Sequence, residues 1–241
     1  MRQIPLIVII IVLTFVKFSF ASELQLPHNI SSFKQAKKIA NKLYQNRQTT
    51  FYCGCKYTNK KQIKRGECGY VPRKNKKRGK RIEWEHIVPA HAFGHVRQCW
   101  REPKSFATCQ KKNGKFYRGR KCCNKVDPVF RAMAADLHNL VPSVGELNGD
   151  RSNFRFGMID GEPRKYGACD FEVDFKRRIT EPAPHIRGDI ARIYEYMETT
   201  YAVPIGKKQR RLFEVWKIQD PMSSWEQEKK KLIQRFISRD Q

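Results

Sequence analysis

Directly after Ser31-Ser32, apolar residues recur at helical spacing: Phe33, Ala36, Ile39, Ala40, Leu43 and Tyr44. That spacing predicts one amphipathic helix with a serine at its start. From Thr49 to Tyr57 the chain is rich in β-branched and aromatic residues, which predicts a strand. Arg73 to Arg81 is a nearly continuous basic run, read as a loop leading into a strand over Ile82 to His86. Pro89 opens a short helix through about Gln98, and the polar, lysine-rich stretch from Arg101 to Lys121 reads as a loop. Asp127-Pro128 supplies an N-cap and then a proline at the first helical position, so a helix is predicted from Pro128 to about Leu137.

Next, Asn139 to Val141 suggests a brief strand that Pro142 breaks, and Ser143 to about Arg151 a short helix. The order is therefore strand, insertion, strand, helix. Ala168 to Phe175 reads as a further strand and Glu181 to Pro184 as a rigid connector. Ile190, Ile193, Tyr194, Met197 and Tyr201 mark a helix, and Leu212, Val215 and Trp216 another. Ser223 and Glu226 form a capping box ahead of Leu232, Ile233, Phe236 and Ile237, which adds a last helix. No internal repeat and no long flexible linker divides the chain, so a single α+β domain is expected.

The start of the chain follows a different pattern. Arg2 precedes an almost wholly apolar run from Ile4 to Val16, and Ser19-Phe20-Ala21 places small residues where a signal peptidase reads. Residues 1–21 are expected to be an export signal cleaved after Ala21, leaving 22–241 as the domain. The competing reading is a retained anchor, but the run is interrupted by Pro5 and Thr14 and is shorter than the ~20 residues that span a bilayer. No membrane association is expected after cleavage, and the destination is periplasmic or secreted. All eight cysteines follow the leader, an even number that favours disulfides in an exported chain. Cys53-Gly54-Cys55 and Cys122-Cys123 are tight clusters, yet neither has the spacing of a zinc ribbon or finger. Cys109 is expected to close a local loop with Cys122 or Cys123.

Charge narrows the partner. Lys plus Arg number 49 against 23 Asp plus Glu, a formal net charge of +26 that becomes +24 when Arg2 and Lys17 leave with the leader. With 40% hydrophobic residues the chain still has material for a core, so disorder is not expected. A polyanion is the natural partner, although charge alone does not separate a nuclease from a noncatalytic cationic nucleic-acid- or glycosaminoglycan-binding or antimicrobial protein.

His86, next to Glu85 and directly after the basic run and its strand, has the most suggestive surroundings of the six histidines. A neutral imidazole activates water near neutral pH, and an adjacent carboxylate can hold a divalent cation. Neighbouring strand residues diverge, as base and metal must when attacking water and leaving oxygen stand on opposite sides of phosphorus. Asn148 offers a neutral oxygen on the following short helix, and one carboxylate plus one amide suits Mg²⁺. The bland alternatives are a surface glutamate with a packed histidine, and a helix C-cap at Asn148-Gly149. Asn139 reads as a buried amide bracing two loops. A zinc hydrolase on His86, His91 and His95 is the other metal option, without an H-E-x-x-H pattern to support it.

The runs Glu83 to Ala90 (EWEHIVPA), Phe93 to Trp100 (FGHVRQCW) and His138 to Asn153 (HNLVPSVGELNGDRSN) resemble the bacterial endonuclease I family. These are exported nucleases built on a ββα-metal, or His-Me, finger. Phe51 to Cys55, Cys68 to Tyr70 and Arg192 to Met197 extend the likeness, which covers roughly residues 32 to 227. The resemblance implies endonucleolytic hydrolysis of DNA, single- and double-stranded, and of RNA, with one Mg²⁺, little sequence preference and 5′-phosphate products. It makes His86 the general base, Glu85 and Asn148 the metal ligands, and Arg120 the arginine on the phosphate. Because about Arg101 to Arg118 looks inserted, Arg97 and Arg101 remain alternatives to Arg120. The chain is expected to act as a monomer. It departs from the family at Gln227, where a cysteine is usual, and in lacking a cysteine near its C-terminus.

Overall fold

The computed structural model describes residues 26–64, 66–161 and 163–238, and its first element is the expected helix α1 (Phe33–Leu43). Ser32 caps α1 by accepting the Gln35 N–H, while Ala36, Ala40 and Leu43 form its buried stripe. The leader read at 1–21 lies outside the described residues. Among those described, no helix is long and apolar enough to cross a membrane.

A hairpin split by a long excursion sits at the centre. The basic run contains one helical turn, α2 (Lys76–Gly79), capped by Asn75, and then β1 (Ile82–His86) begins. Its partner β2 (Leu140–Val144) arrives only after α3 (Ala90–Gly94), α4 (Gln98–Arg101), α5 (Arg120–Val126) and α6 (Pro128–Ala135). The strands pair antiparallel, with Ile82 opposite Val144 and His86 opposite Leu140, and α7 (Gly145–Arg151) follows β2 at once. This reproduces the strand, insertion, strand, helix order. Strand β2 runs through Pro142 rather than stopping there. Pro142 turns its carbonyl outward to the Phe51 N–H, 2.7 Å away, so its missing N–H costs no bond to β1.

The second sheet has the order β3-β5-β4, from β3 (Arg155–Phe156), β4 (Phe171–Asp174) and β5 (Ile179–Pro182). Glu181 and Pro182, read as connector, belong to β5; β3 pairs only with Ile179 and Thr180, which leaves Pro182 at the open end of the sheet. Three helices complete the described residues: α8 (Arg187–Tyr201), α9 (Lys207–Gln219) and α10 (Ser224–Ser238). The capping box ahead of α10 is reciprocal, Glu226 N to Ser223 Oγ at 3.2 Å and Ser223 N to Glu226 Oε2 at 2.9 Å.

Two further local expectations give way. Thr49 to Tyr57 is a tight turn, not a strand: Thr50 N bonds Cys55 O, Gly54 N bonds Thr50 O, and Gly54 takes φ +63°. The helix opened by Pro89 breaks after Gly94 and resumes as α4. All eight cysteines are paired, as Cys53–Cys169, Cys55–Cys68, Cys99–Cys123 and Cys109–Cys122, so Cys109 does close a local loop. The result is an α+β fold in which β2 is buried along its whole length. Leu140 packs with Ala40, Trp84 and Ile233 on one side; Val141 and Val144 pack with Ile87, Phe156 and Trp216 on the other.

Candidate active site

The C-terminal end of β1, helix α7 and the first residue of α5 meet around an open cleft lined by Glu85, His86, Arg120 and Asn148, with Phe33 and His91 at its walls. All four residues singled out from the sequence are therefore brought together. Adjacent on β1, Glu85 and His86 engage different neighbours, Arg151 of α7 and Ala134 of α6 respectively.

Glu85 is buried, and its Oε1 accepts from the Tyr52 hydroxyl (3.2 Å) and from Arg151 Nη1 (3.1 Å). Its Oε2 accepts no hydrogen bond among the described residues. Burial pushes the carboxyl up to about 7, against the pull of the Arg151 charge. Arg151 is itself wholly buried: Nη1 also donates to the His86 carbonyl at 2.8 Å, Nη2 donates to the Ile87 carbonyl, and the guanidinium lies 4.7 Å from the centre of the Phe156 ring. One side chain from α7 thus ties down the end of β1.

The His86 Nε2 lies 2.9 Å from the Ala134 carbonyl oxygen. A carbonyl only accepts, so Nε2 carries the proton and Nδ1 is the bare nitrogen of a neutral ring. Phe33 packs against that ring with centroids 4.8 Å apart. Burial, and then the charge of Arg120, hold its pKa down at about 3, so the ring is neutral at pH 7.

Asn148 is half-buried on α7, and its side-chain amide makes no hydrogen bond among the described residues. The residue does not end the helix: α7 continues to Arg151, and Ser152, at φ +53°, is the C-cap. Gly149 lies inside α7, where a Cβ would collide with the Arg78 guanidinium, so the glycine allows α2 and α7 to touch. An unengaged carboxylate oxygen and an unengaged amide on one cleft are a donor pair that fits a hard divalent cation, with positions left for water and phosphate.

Arg120 sets its guanidinium 5.0 Å from the centre of the Phe33 ring, beside His86. The alternatives lie elsewhere: Arg97 is held by both oxygens of Asp127, and Arg101 is exposed at the end of α4. Asn139 is the brace expected of it, accepting the Val88 N–H at 2.7 Å and donating to the Val88 carbonyl at 3.0 Å. His91 and His95 stack on each other with centroids 4.9 Å apart, and no three His, Cys, Asp or Glu residues gather as a metal cluster among the described residues. Arg151, Tyr52 and Phe33 escaped sequence reasoning. Only Arg151 had a signal, standing three residues after Asn148 on one helix.

The chain matches the model of the Endonuclease I family over residues 29–240. It is 46% identical over 209 residues to an extracellular deoxyribonuclease of Aeromonas hydrophila, covering 85% of this chain and 84% of the relative. It is 45% identical over 206 residues to a periplasmic deoxyribonuclease of the same organism, covering 84% and 80%. With the Endonuclease-1 of Buchnera aphidicola it shares 43% over 207 residues, 85% of this chain and 76% of the relative. With a family match that takes in both strands of the split hairpin and every residue of the cleft, the chain belongs to the endonuclease I family.

Proposed function

We propose that this chain is an exported endonuclease that hydrolyses phosphodiester bonds of DNA, single- and double-stranded, and of RNA, with one Mg²⁺, little sequence preference and 5′-phosphate products. The observation that carries this reading is the set of unengaged groups on one cleft: Glu85 Oε2, His86 Nδ1 and the Asn148 amide, with Arg120 beside them. Relatives named extracellular and periplasmic deoxyribonucleases support DNA as substrate and export as destination. The leader expected at 1–21 and the four disulfides agree with export.

In this reading His86 Nδ1 takes a proton from water as its oxygen bonds to phosphorus, and the bond from phosphorus to the 3′ oxygen breaks. Arg120 holds nonbridging oxygens of the phosphate. Glu85 and Asn148 would hold the Mg²⁺, which when bound supplies positive charge that stabilises the departing oxygen. Arg151 and Tyr52 hold Glu85 in place from behind. A purely cationic binder has no use for this combination.

The test is digestion of linear duplex, single-stranded DNA and RNA in Mg²⁺ and again in EDTA. Degradation is expected with Mg²⁺ and protection with EDTA, and the fragments should accept a labelled 5′ phosphate only after phosphatase treatment. Binding without cleavage would leave a cationic binder, and cleavage undiminished by EDTA would remove the metal from the reading.

A further inference from the structure

The segment joining α4 to α5 carries positive charge that no ion pair among the described residues balances, although Lys111 lies over the Tyr117 ring, 5.1 Å from its centre. Arg101, Lys104, Lys111, Lys112, Lys115 and Arg118 stand against Glu102 alone, whose carboxylate accepts from Gln98. Among the described residues none of these six cations forms an ion pair. Elsewhere several arginines are matched: Arg78 with Glu83, Arg97 with Asp127, Arg187 with Glu181, Arg192 with Glu226 and Arg210 with Glu198.

The segment is nevertheless firmly built. Cys109–Cys122 staples it to α5, and Cys99–Cys123 ties α4 to the same helix. Inside the loop, Gln110 bridges to Phe116, Lys111 N bonds Lys115 O at 2.7 Å, and Tyr117 N bonds Cys109 O at 2.8 Å. Phe106, Phe116 and Tyr117 are half-buried and pack against the cluster around the cysteines, while Lys104, Lys112 and Lys115 are exposed. Both ends of the segment reach the cleft. Trp100 meets His91, on the cleft wall, with the two rings perpendicular, and Gly119 packs on Trp100 just before Arg120 enters the cleft.

Like charges fixed on a rigid loop repel one another, and a polyanion laid across them relieves that repulsion while releasing its own counterions. We infer that residues 101–118 form a stapled basic arm that holds the phosphates of nucleic acid flanking the bond in the cleft. The inference rests on the reading of that cleft as a nuclease site. An anionic membrane would call for apolar side chains exposed beside the cations, whereas the three aromatic residues of the arm pack half-buried against the cysteine cluster and none of them is exposed.

The arm is tested with a variant carrying Lys104→Gln, Lys112→Gln, Lys115→Gln and Arg118→Gln, all exposed positions outside the cleft. Binding of long duplex DNA is measured in EDTA across a salt series, and turnover in Mg²⁺ on the same duplex and on an oligonucleotide short enough to fill only the cleft. Each phosphate contact adds about 0.9 to the slope of log affinity against log salt, so the slope should become shallower by about 2 to 4. On long duplex KM should rise at least ~10-fold, while kcat and all behaviour on the short oligonucleotide stay as in the wild type. An unchanged salt slope, with the melting temperature also unchanged, overturns the arm. Loss of binding to vesicles of phosphatidylserine and phosphatidylcholine, with DNA binding intact, would make it a membrane contact and equally overturn it. Should the wild type cut nothing, the nuclease reading fails by itself, and the binding slopes in EDTA still decide the arm.

Discussion

Glu85 and Asp136 are two buried carboxylates, each with histidine and tyrosine side chains beside it. Asp136 has both oxygens fully taken: Oδ1 by the His138 N–H (2.8 Å) and ring (3.0 Å), Oδ2 by the Tyr196 (2.9 Å) and Tyr201 (2.7 Å) hydroxyls. Glu85 has two donors on one oxygen and, among the described residues, none on the other. Burial pushes both carboxyls up, but the donors around Asp136, His138 foremost, overcome it and hold that group at about 2, whereas Glu85 is left at about 7. The same residue types thus make a closed structural knot in one place and an open site in the other. What separates them is the lone pairs left unspent.

The largest effect should come from exchanging the two histidines for alanine. His86→Ala is expected to lower turnover by roughly 10² to 10⁴ while DNA binding persists, the usual loss when one acid/base group is removed. His138→Ala should leave kcat within several-fold of the wild type, because its ring nitrogen is engaged by Asp136 and it stacks on Tyr196 with centroids 4.2 Å apart. Equal losses of kcat in the two variants would erase the distinction between site and knot.

Next in size is Arg151, which spans from α7 to the end of β1. Arg151→Lys keeps the charge but not the fork that reaches Glu85, His86 and Ile87 together. The Mg²⁺ concentration for half-maximal turnover should rise by roughly 10 to 100-fold, with kcat largely restored at saturating Mg²⁺. A pure folding defect would lower the melting temperature and leave the Mg²⁺ dependence where it was. Such a result would reduce Arg151 to a core residue.

The sequence made this comparison only half visible. Glu85, His86 and Asn148 stood out because the strand after the basic run and the short helix carry local signals, whereas Arg120 was implied by the family resemblance alone. Arg151 and Tyr52 did not, since their importance is created by contacts between segments 66 and 33 residues apart. Capping residues were equally legible: Ser32, Asp127 and Ser223 each bond within three residues of themselves. Thr49 to Tyr57 misled because composition favours a strand there, while the disulfides leaving Cys53 and Cys55 and the left-handed Gly54 enforce a turn. Pro142 and Pro182 misled because a proline is costly in a ladder only on the side that carries hydrogen bonds.

Asp136→Asn tests the knot through stability. Losing the charge at a site ringed by donors should cost about 1 to 3 kcal/mol at pH 7. The Asp136 pKa falls from 3.8 to about 2 on folding, so its contribution is complete above pH 3.8 and is lost as the pH drops toward 2. Chemical denaturation of wild type and variant should therefore show a gap that is constant above about pH 5 and closes between about pH 4 and 2. A gap independent of pH would mean that shape, not charge, holds the cluster.

The finest comparison removes one phenol hydroxyl from each carboxylate. Tyr201→Phe takes a 2.7 Å donor from Asp136, and Tyr52→Phe takes a 3.2 Å donor from Glu85. A hydrogen bond to a charged group contributes about 1.5 to 3 kcal/mol, so Tyr201→Phe should lower stability by an amount near the lower end, its three companion donors remaining, and leave kcat and Mg²⁺ dependence alone. Tyr52→Phe should cost about 1 kcal/mol or less, the bond being longer and the carboxyl only partly ionised in the absence of the cation. Its effect should appear instead as a several-fold rise in the Mg²⁺ needed for half-maximal turnover, because Glu85 then keeps only Arg151 to fix its orientation. Melting curves and Mg²⁺ titrations on the two variants thus separate the regions by different readouts. If Tyr52→Phe moved only the melting temperature, or Tyr201→Phe moved only the Mg²⁺ titration, the assignment of site and knot would be reversed.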